Sequence, residues 1–484
     1  MSQAISSKLP KEFLMIHCRF SVLTAFLALI FGADFLRAAE IVPADETFCD
    51  VLVVGGGSAG VPAAIQSARA GARTVLMEMG FQLGGTTTTA GVRYPGLFHA
   101  WGRQVIAGIG WELTQKAVEL NGDSMPDFSV DHGPHHWQLS VPVNPPLFAL
   151  LAEEMCVQAG VELRYYESPC LLEPLFETDP HARDANWKVT SSAIGQFRTV
   201  WCREIIDCTG NGSVAALAGA KRMRDAETQP GSIFYAIESG IDFEKADWNE
   251  IRSCYEKALA DGSLLPSDMV GGIERFLTRP RPAGNRTYVF DADNSTGPLR
   301  TDANLRGRAS ILRSLRFVRT LPGGENAKLT EMAAETGVRE TFRVVGQYVI
   351  TAEDYRVGKV WPDSVTYAFY PIDVHTRSGV APQRLERGIV PTIPYRALIT
   401  ADVPHFFAAG RCLSADRQAA SALRVQSVCM ASGQAAGAAA ALAARNRLRP
   451  ENVNLAELKS LLRQNGAIVP EPAVKPEPTG NPNL

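Results

Sequence analysis

The chain has 484 residues, 46% hydrophobic and 20% charged, with 48 Lys and Arg against 51 Asp and Glu. That length predicts two or more domains around a large core, and a net charge of −3 gives no global pull on nucleic acid or an anionic membrane. Nine cysteines are too few for a disulfide scaffold, and neither a CxxC pair nor a His/Cys cluster at zinc spacing occurs, so no metal is expected.

The first feature along the chain is the uncharged apolar run FSVLTAFLALIF at residues 20–31. Lys8, Lys11 and Arg19 precede it, and the small residues Ala38 and Ala39 follow. A basic start, an apolar centre and a small-residue exit predict a Sec-type signal peptide over residues 1–39 and export to the periplasm or beyond. The run is too short for a comfortable span and is followed by Asp34 and Arg37, so no stable membrane span is expected after cleavage. Arg19 stands alone, which argues against twin-arginine export.

From Asp50 the sequence reads DVLVVGGGSAGVPAAIQSARAGARTVLMEMG. Val51–Val54 form a short buried-strand signal, a helix is expected over Val61–Ala70, and Arg73–Met77 give a second strand ending in Glu78. Gly55 permits the tight turn, Gly57 lets the backbone approach a diphosphate, and Gly60 lets helix and strand pack closely. The helix start offers unpaired N–H groups to phosphates, and Glu78 can accept both hydroxyl protons of an adenosine ribose. Strand, glycine triplet, helix, strand and terminal acid in that order predict a dinucleotide site.

A second loop, Gly84-Gly85-Thr86-Thr87-Thr88-Thr89, follows at once, rich in backbone and hydroxyl donors. Much later, Ile205–Asp207 read as a strand entering the turn Cys208–Gly212, and Phe406–Ala409 repeat the strand-then-glycine pattern before Gly410 and Arg411. An alanine-rich helix is expected over Val425–Ala444. Its N-terminus, behind Arg424, would stabilise negative charge on a cofactor ring by up to about 2 kcal/mol, and its small residues also suit plain packing.

With these pieces assembled, the chain resembles the FAD-dependent oxidoreductases of the glutathione-reductase-like superfamily, and more narrowly the relatives of the heterodisulfide reductase flavin subunit. The resemblance rests on VVGGGSAGVPAAIQSARAG, LGGTTTTAG, GRQVIAGIGWELTQKA, IIDCTGNGSVAALAGA, GVRETFRVVGQYVIT, IPYRALI and FFAAGRCLSADRQAASALRVQSVCMASGQAAG, spread over residues 50–445. It implies FAD held by Gly55, Gly57, Ser58, Ala59, Gly60, Glu78, Gly84, Gly85 and Thr86. It also implies adenine-side contacts near Cys170, Thr209 and Gly210, and flavin-side contacts near Gly410, Arg411 and Ala435. Two departures stand out: Asn211 occupies a position that is commonly an acid, and the cysteine clusters that carry electrons in heterodisulfide reductases are missing.

The expected fold is α/β: a Rossmann-like FAD-binding domain, discontinuous over residues 47–221 and 388–448, with an inserted α+β substrate domain at 222–387 and a C-terminal helix and Pro-rich tail over 449–484. Within the insertion, Gly337–Val345 reads as a strand with Arg339, Thr341 and Arg343 on one face. Two guanidiniums there would hold a substrate carboxylate or order the flavin edge, or belong to a salt-bridged face. His375 is the leading acid/base candidate, with Asp373 placed to orient it; His99, His132, His135 and His136 are rivals. The Pro282–Asn285 run predicts a turn, and the charged stretch to Arg308 reads as loops before a helix near Leu312. The expected activity is oxidation of a small polar molecule by hydride transfer to flavin, with a separate electron acceptor. A non-redox flavin-dependent lyase or isomerase, and a silent FAD-binding protein, are the alternatives.

Overall fold

The computed structural model describes residues 46–471, apart from residue 131 and residues 279–286. The expected signal peptide, the Pro282–Asn285 turn and the tail beyond residue 471 lie outside the described residues.

The nucleotide-type unit comes first: β1 (Glu46–Val54), α1 (Gly60–Arg69) and β2 (Thr74–Glu78). Helices α2 (Ile109–Leu120) and α3 (Pro145–Gln158) follow. Strand β3 (Glu162–Tyr165) then returns the chain to the sheet, and β4 (Ser168–Pro174), β5 (Trp187–Ala193) and β6 (Gln196–Asp207) form an antiparallel meander. The insertion carries β7 (Tyr235–Glu238), α4 (Trp248–Ala260), α5 (Gly297–Val318) and β8 (Lys328–Met332). Beyond it lie β9 (Ser364–Tyr367), β10 (Thr392–Pro394), β11 (Phe406–Ala408), α6 (Arg417–Leu423), α7 (Gln426–Asn446) and α8 (Leu455–Gln464).

The main sheet has seven strands in the order β3-β2-β1-β6-β5-β4, with β11 also pairing to β6. Strands β1, β2, β3, β6 and β11 run parallel. Strand β6 is shared: its first half pairs with β5, and Ile205–Asp207 pair with Phe406–Ala408 of β11. The glycine loop after β1, the turn after β6 and the loop after β11 therefore meet at the carboxyl edge of one sheet, where α/β sheets bind ligands. At the far end of α7, Glu204 and His405 join β6 to β11 through a 2.8 Å contact beside a cleft of about 230 Å³. Burial pushes the Glu204 carboxyl up to about 7, against a partial offset from His405.

Helix α7 is the one described helix long and apolar enough to cross a membrane, yet that stretch is wholly buried inside the protein. Its glycines explain how. A Cβ on Gly433 would lie 2.0 Å from the Ala59 carbonyl oxygen, and one on Gly437 would lie 2.2 Å from that of Ala63. Both helices thus touch through backbone. Val425 is extended and separates α6, which carried no expectation, from α7, which begins one residue after the expected start at 425.

The inserted segment divides between two cores. Ile233, Tyr235, Ile251, Leu264, Ile311 and Phe317 build a cluster of their own. Ile350, Tyr355, Val365, Phe369, Leu385 and Ile393 instead join the core of α1 and α7. Helix α5 corrects the expectation of loops up to Arg308. Thr296 caps it by accepting from the Leu299 N–H, Pro298 occupies its first turn, and Arg306 pairs with Asp302 one turn back. Gly437→Ala is expected to destabilise the protein by at least about 2 kcal/mol, measured by chemical denaturation, because neither backbone can retreat.

Candidate active site

The loop from Val54 to Gly60 is shaped by what surrounds each glycine. Gly55 has φ +98°, and a Cβ there would sit 2.7 Å from the Cys208 carbonyl oxygen; one on Gly60 would sit 1.8 Å from that of Gly55. Gly57 differs, since its Cβ would meet only Gly85 Cα at 3.8 Å. The crowded glycines let the strand turn into α1, and the open one leaves room for a ligand against backbone. The Gly84 N–H donates to the Gly56 carbonyl at 2.9 Å, so the two glycine loops lie side by side. Glu78, at the end of β2, accepts from the Gly56 N–H at 2.7 Å and the Gly80 N–H at 2.6 Å. Burial raises its pKa, and those donors offset only part of the effect. Each carboxylate oxygen keeps a second lone pair for a hydroxyl.

Gln426 opens α7 and ties three stretches together, a role the sequence reading missed. Its side-chain oxygen accepts from Thr87 Oγ1 and from Ser58 Oγ at 3.4 Å, while its amide donates to the Val92 carbonyl at 3.0 Å. Thr86 lies exposed beside it. The turn after β6 is tied to itself: Thr209 donates through both N–H and Oγ1 to Asp207, at 3.0 and 2.7 Å. Gly210 packs under Arg411, whose guanidinium donates to Val338 O and, at 2.6 Å, to Asn211 Oδ1. Asn211 also accepts from Thr341 at 2.9 Å and donates to Asn294 O at 3.0 Å. An amide can do both and a carboxylate cannot, which accounts for Asn at this position. Gly410 has φ +78° and receives the Ser432 hydroxyl oxygen on its N–H at 3.1 Å.

The second part of the site surrounds His375, which is 3% exposed. Its Nδ1 lies 2.8 Å from the Tyr288 hydroxyl and its Nε2 lies 3.0 Å from Asp373 Oδ2. Burial lowers the His375 pKa despite the Asp373 hydrogen bond. A neutral ring carries one N–H; the carboxylate can only accept, so Nε2–H donates to Asp373 and Nδ1 accepts from Tyr288. Burial would raise Asp373, but His375, Arg424 and Arg339 together hold it below the usual range. Arg424 reaches the Asp373 carboxylate at 3.7 Å and its carbonyl at 3.3 Å. Arg339 donates to Pro230 O and to Ser232 Oγ at 3.1 Å, and stands 5.6 Å from the Tyr288 ring. Neither Tyr288 nor the role of Gln229, which accepts from the His375 N–H at 3.0 Å, carried any spacing signal.

Other expected residues fall elsewhere. Gly337–Val345 is not one strand: Arg343–Val344 pair with Arg222–Met223, and Gly337 makes a single bridge to Ser232. Arg343 turns to Asp225 at 2.6 Å, so the two arginines predicted to share a face are separated. Glu340, expected on the opposite face, is also buried, accepting from Gln229 and Arg417. The segment is covered on both sides, which erases the period-two signal. Ala435 is fully buried, roughly 13 Å along α7 from Gln426 at about 1.5 Å per residue, and packs with the core instead of lining the ring end. Cys170 is exposed on β4 with its thiol toward the Thr190 carbonyl at 3.3 Å. His99 stacks on Phe128 with ring centres 3.8 Å apart, and burial lowers its pKa to about 4, which makes it an aromatic filler. His132 precedes a short 3₁₀ segment over Gly133–Leu139, where His135 is exposed. Tyr395 and Arg396, within the IPYRALI segment that supports the resemblance, brace the interior through Pro450 O at 2.7 Å and Asp363 at 2.9 Å.

The residues suit FAD on structural grounds. An open glycine face between two donor loops fits a diphosphate, a half-buried carboxylate ends β2, and the Arg424 Nε and Ser427 Oγ are buried without partners at the start of α7. The family model described as FAD dependent oxidoreductase matches residues 50–462. The chain belongs to this family. It is an FAD-dependent oxidoreductase, and FAD is its cofactor. Among solved structures, a geranylgeranyl bacteriochlorophyll reductase-like protein from Thermoplasma acidophilum is similar at 12% identity, over 87% of this chain and 83% of that one, with a TM-score of 0.39. The OxyS anhydrotetracycline hydroxylase from Streptomyces rimosus is similar at 13% identity, over 87% and 66%, with a TM-score of 0.40. The myxobacterial chondrochloren halogenase CndH is similar at 12% identity, over 87% and 79%, also with a TM-score of 0.40. None of the curated proteins matches.

For this oxidoreductase, Glu78→Ala is expected to weaken FAD retention by tenfold or more, since hydrogen bonds to a charged acceptor are lost. Flavin released on dialysis measures it, and unchanged retention would remove Glu78 from the ribose.

Proposed function

We propose that this oxidoreductase removes two electrons from a small polar substrate whose reacting carbon bears a hydroxyl or amine. The observation that carries this reading is the Tyr288–His375–Asp373 chain, with steps of 2.8 and 3.0 Å, joined through Arg424 to the start of α7. FAD, when bound, supplies the two-electron acceptor. That acceptor would take up the electron pair of the substrate C–H bond. The O–H or N–H proton passes to Tyr288 as the phenol proton moves to His375 Nδ1. Asp373 is a positioning residue: it holds the ring tautomer and stabilises the imidazolium that forms. Both ring nitrogens of His375 already have protein partners, so the phenol is the group that meets substrate.

Gly55, Gly57, Ser58, Ala59 and Gly60 would hold the diphosphate and Glu78 the ribose, with Gly84, Gly85 and Thr86 alongside. Thr209 and Gly210 would mark the adenine side, and Gly410 and Arg411 the ring side. The meander β4-β5-β6 and the return strand β11 favour the glutathione-reductase-like superfamily, and the shared motifs favour kinship with the heterodisulfide reductase flavin subunit without its clusters. The basic, apolar and small-residue succession over residues 1–39 supports export to the periplasm or beyond by a Sec-type signal, where a separate acceptor would collect the electrons.

Anaerobic holoenzyme mixed with hydroxy acids, amino acids and sugars is expected to bleach with its substrate and regain colour with an artificial acceptor. Product formed with no bleaching and no acceptor would replace this reading with a lyase or isomerase. Tyr288→Phe and His375→Ala are expected to slow bleaching by about 10²–10⁴-fold with FAD retained. Because the His375 pKa is lowered from 6.5, the ring stays neutral at neutral pH, and the acid limb of kcat/KM should fall below pH 6.5.

A further inference from the structure

A second cleft lies at the opposite end of α7 from Gln426. Ala444 is roughly 27 Å along the helix from Gln426 at about 1.5 Å per residue. There the cleft of about 230 Å³ is lined by Arg183 from the turn between β4 and β5, Arg203 and Glu204 of β6, His405 ahead of β11, and Arg447 and Arg449 just past α7. Guanidiniums from three separate stretches of chain thus offer donors from several directions. Arg203 donates to Asp184 O at 3.1 Å and Ala444 O at 2.9 Å, with Asp50 at 3.9 Å, and Arg449 has Glu451 at 3.7 Å. Asp184 also lines the cleft and is exposed. Among the described residues, no acid forms an ion pair with Arg183 or Arg447. Glu204 is 1% exposed; its Oε1 lies 2.8 Å from His405 Nδ1, and its Oε2 is buried with no partner. A buried carboxyl oxygen left open calls for a group that completes it. His405 and Arg447 also hold left-handed backbone, φ +55° and +52°, a conformation retained where a side chain must be placed.

We infer that this cleft binds a protonated phosphate group, as inorganic phosphate or a phosphate monoester, with guanidiniums on its oxygens and its P–OH proton shared with Glu204. The inference is independent of the oxidation proposed above. A tetrahedral oxyanion accepts from several sides at once, which suits arginines arriving from three stretches, whereas a carboxylate is planar. Near neutral pH a phosphate still carries a proton to set against a buried carboxyl group. Sulfate and acetate carry none and would meet Glu204 as like charges. Burial pushes the Glu204 carboxyl up to about 7; His405 and Arg203 offset part of the rise and Glu451 adds to it. Phosphate esters lose their second proton near about pH 6, so the two acids hold it with similar strength and can share it. The cleft is smaller than pockets for drug-sized molecules, about 300–1,000 Å³, which calls for a small ligand. Bound there, the group would tie β6, the entry to β11 and the end of α7 together.

The test uses holoenzyme, so that FAD fills its own diphosphate loops. It is titrated calorimetrically with inorganic phosphate, glycerol phosphate, sulfate and acetate at neutral pH and fixed ionic strength. Phosphate or its ester is expected to saturate one site per chain and to bind at least tenfold more tightly than sulfate or acetate. The tighter of the two separates the free anion from the ester. Arg183→Met combined with Arg447→Met, both at exposed positions, is expected to weaken that binding at least tenfold with FAD retained. Glu204→Gln should erase the preference over sulfate, because an amide N–H donates to sulfate where a carboxylate repels it. No saturable binding of either phosphate, equal affinity for phosphate and sulfate, or full affinity in the double arginine variant would overturn the inference. So would a folded Glu204→Gln protein that keeps the original preference. If that variant does not fold, the anion series and the arginine pair decide.

Discussion

Backbone contact between α1 and α7 is the constraint on which the site depends. With Gly433 and Gly437 set against the carbonyls of Ala59 and Ala63, the start of α7 is delivered to the loop that precedes α1. Gln426 can then reach Ser58, Thr87 and Val92, and Arg424 can reach Asp373. A side chain at either glycine would push α7 outward and move every one of these groups together. Alanines elsewhere along α7 fill the core without demanding space, so its composition reflects proximity more than helix propensity.

The His375 cluster shows how burial assigns roles. Desolvation favours the neutral imidazole, Asp373 fixes which nitrogen bears hydrogen, and the phenol of Tyr288 becomes the donor to the other. Arg339 lies over the same phenol and helps hold the same acid below its usual range. The geometry leaves an imidazole that meets almost no solvent hydrogen-bonded through both ring nitrogens.

Much of the cofactor side was legible in the sequence because its logic is local. A β-branched run, three glycines at fixed spacing, and an acid at the end of the next strand sit within Val51–Glu78, and the helix begins one residue from its expected position. The pairing of Asp373 with His375 was also readable, since two residues apart suffices. What failed was long-range or two-sided. The stretch Gly337–Val345 is covered on both faces, so alternation had nothing to report, and its arginines parted. Tyr288 and Gln426 reach the site from far along the chain and bear no local mark. Ala435 lay in the right helix at the wrong height, because repeated Ala and Gly give no axial coordinate.

The partnership of β6 with β11 has a consequence for how the molecule is made. The Glu204–His405 contact spans 201 positions, so a chain emerging N-terminus first holds the Ile205–Asp207 end of one edge of β6 bare until nearly everything else exists. An unpaired strand edge is a template for other chains, and pairings this distant in sequence form slowly. The interval between synthesis of the two strands is thus the period of greatest exposure to aggregation. Capture of the flavin, which needs α7 as well, belongs to the last moments of maturation.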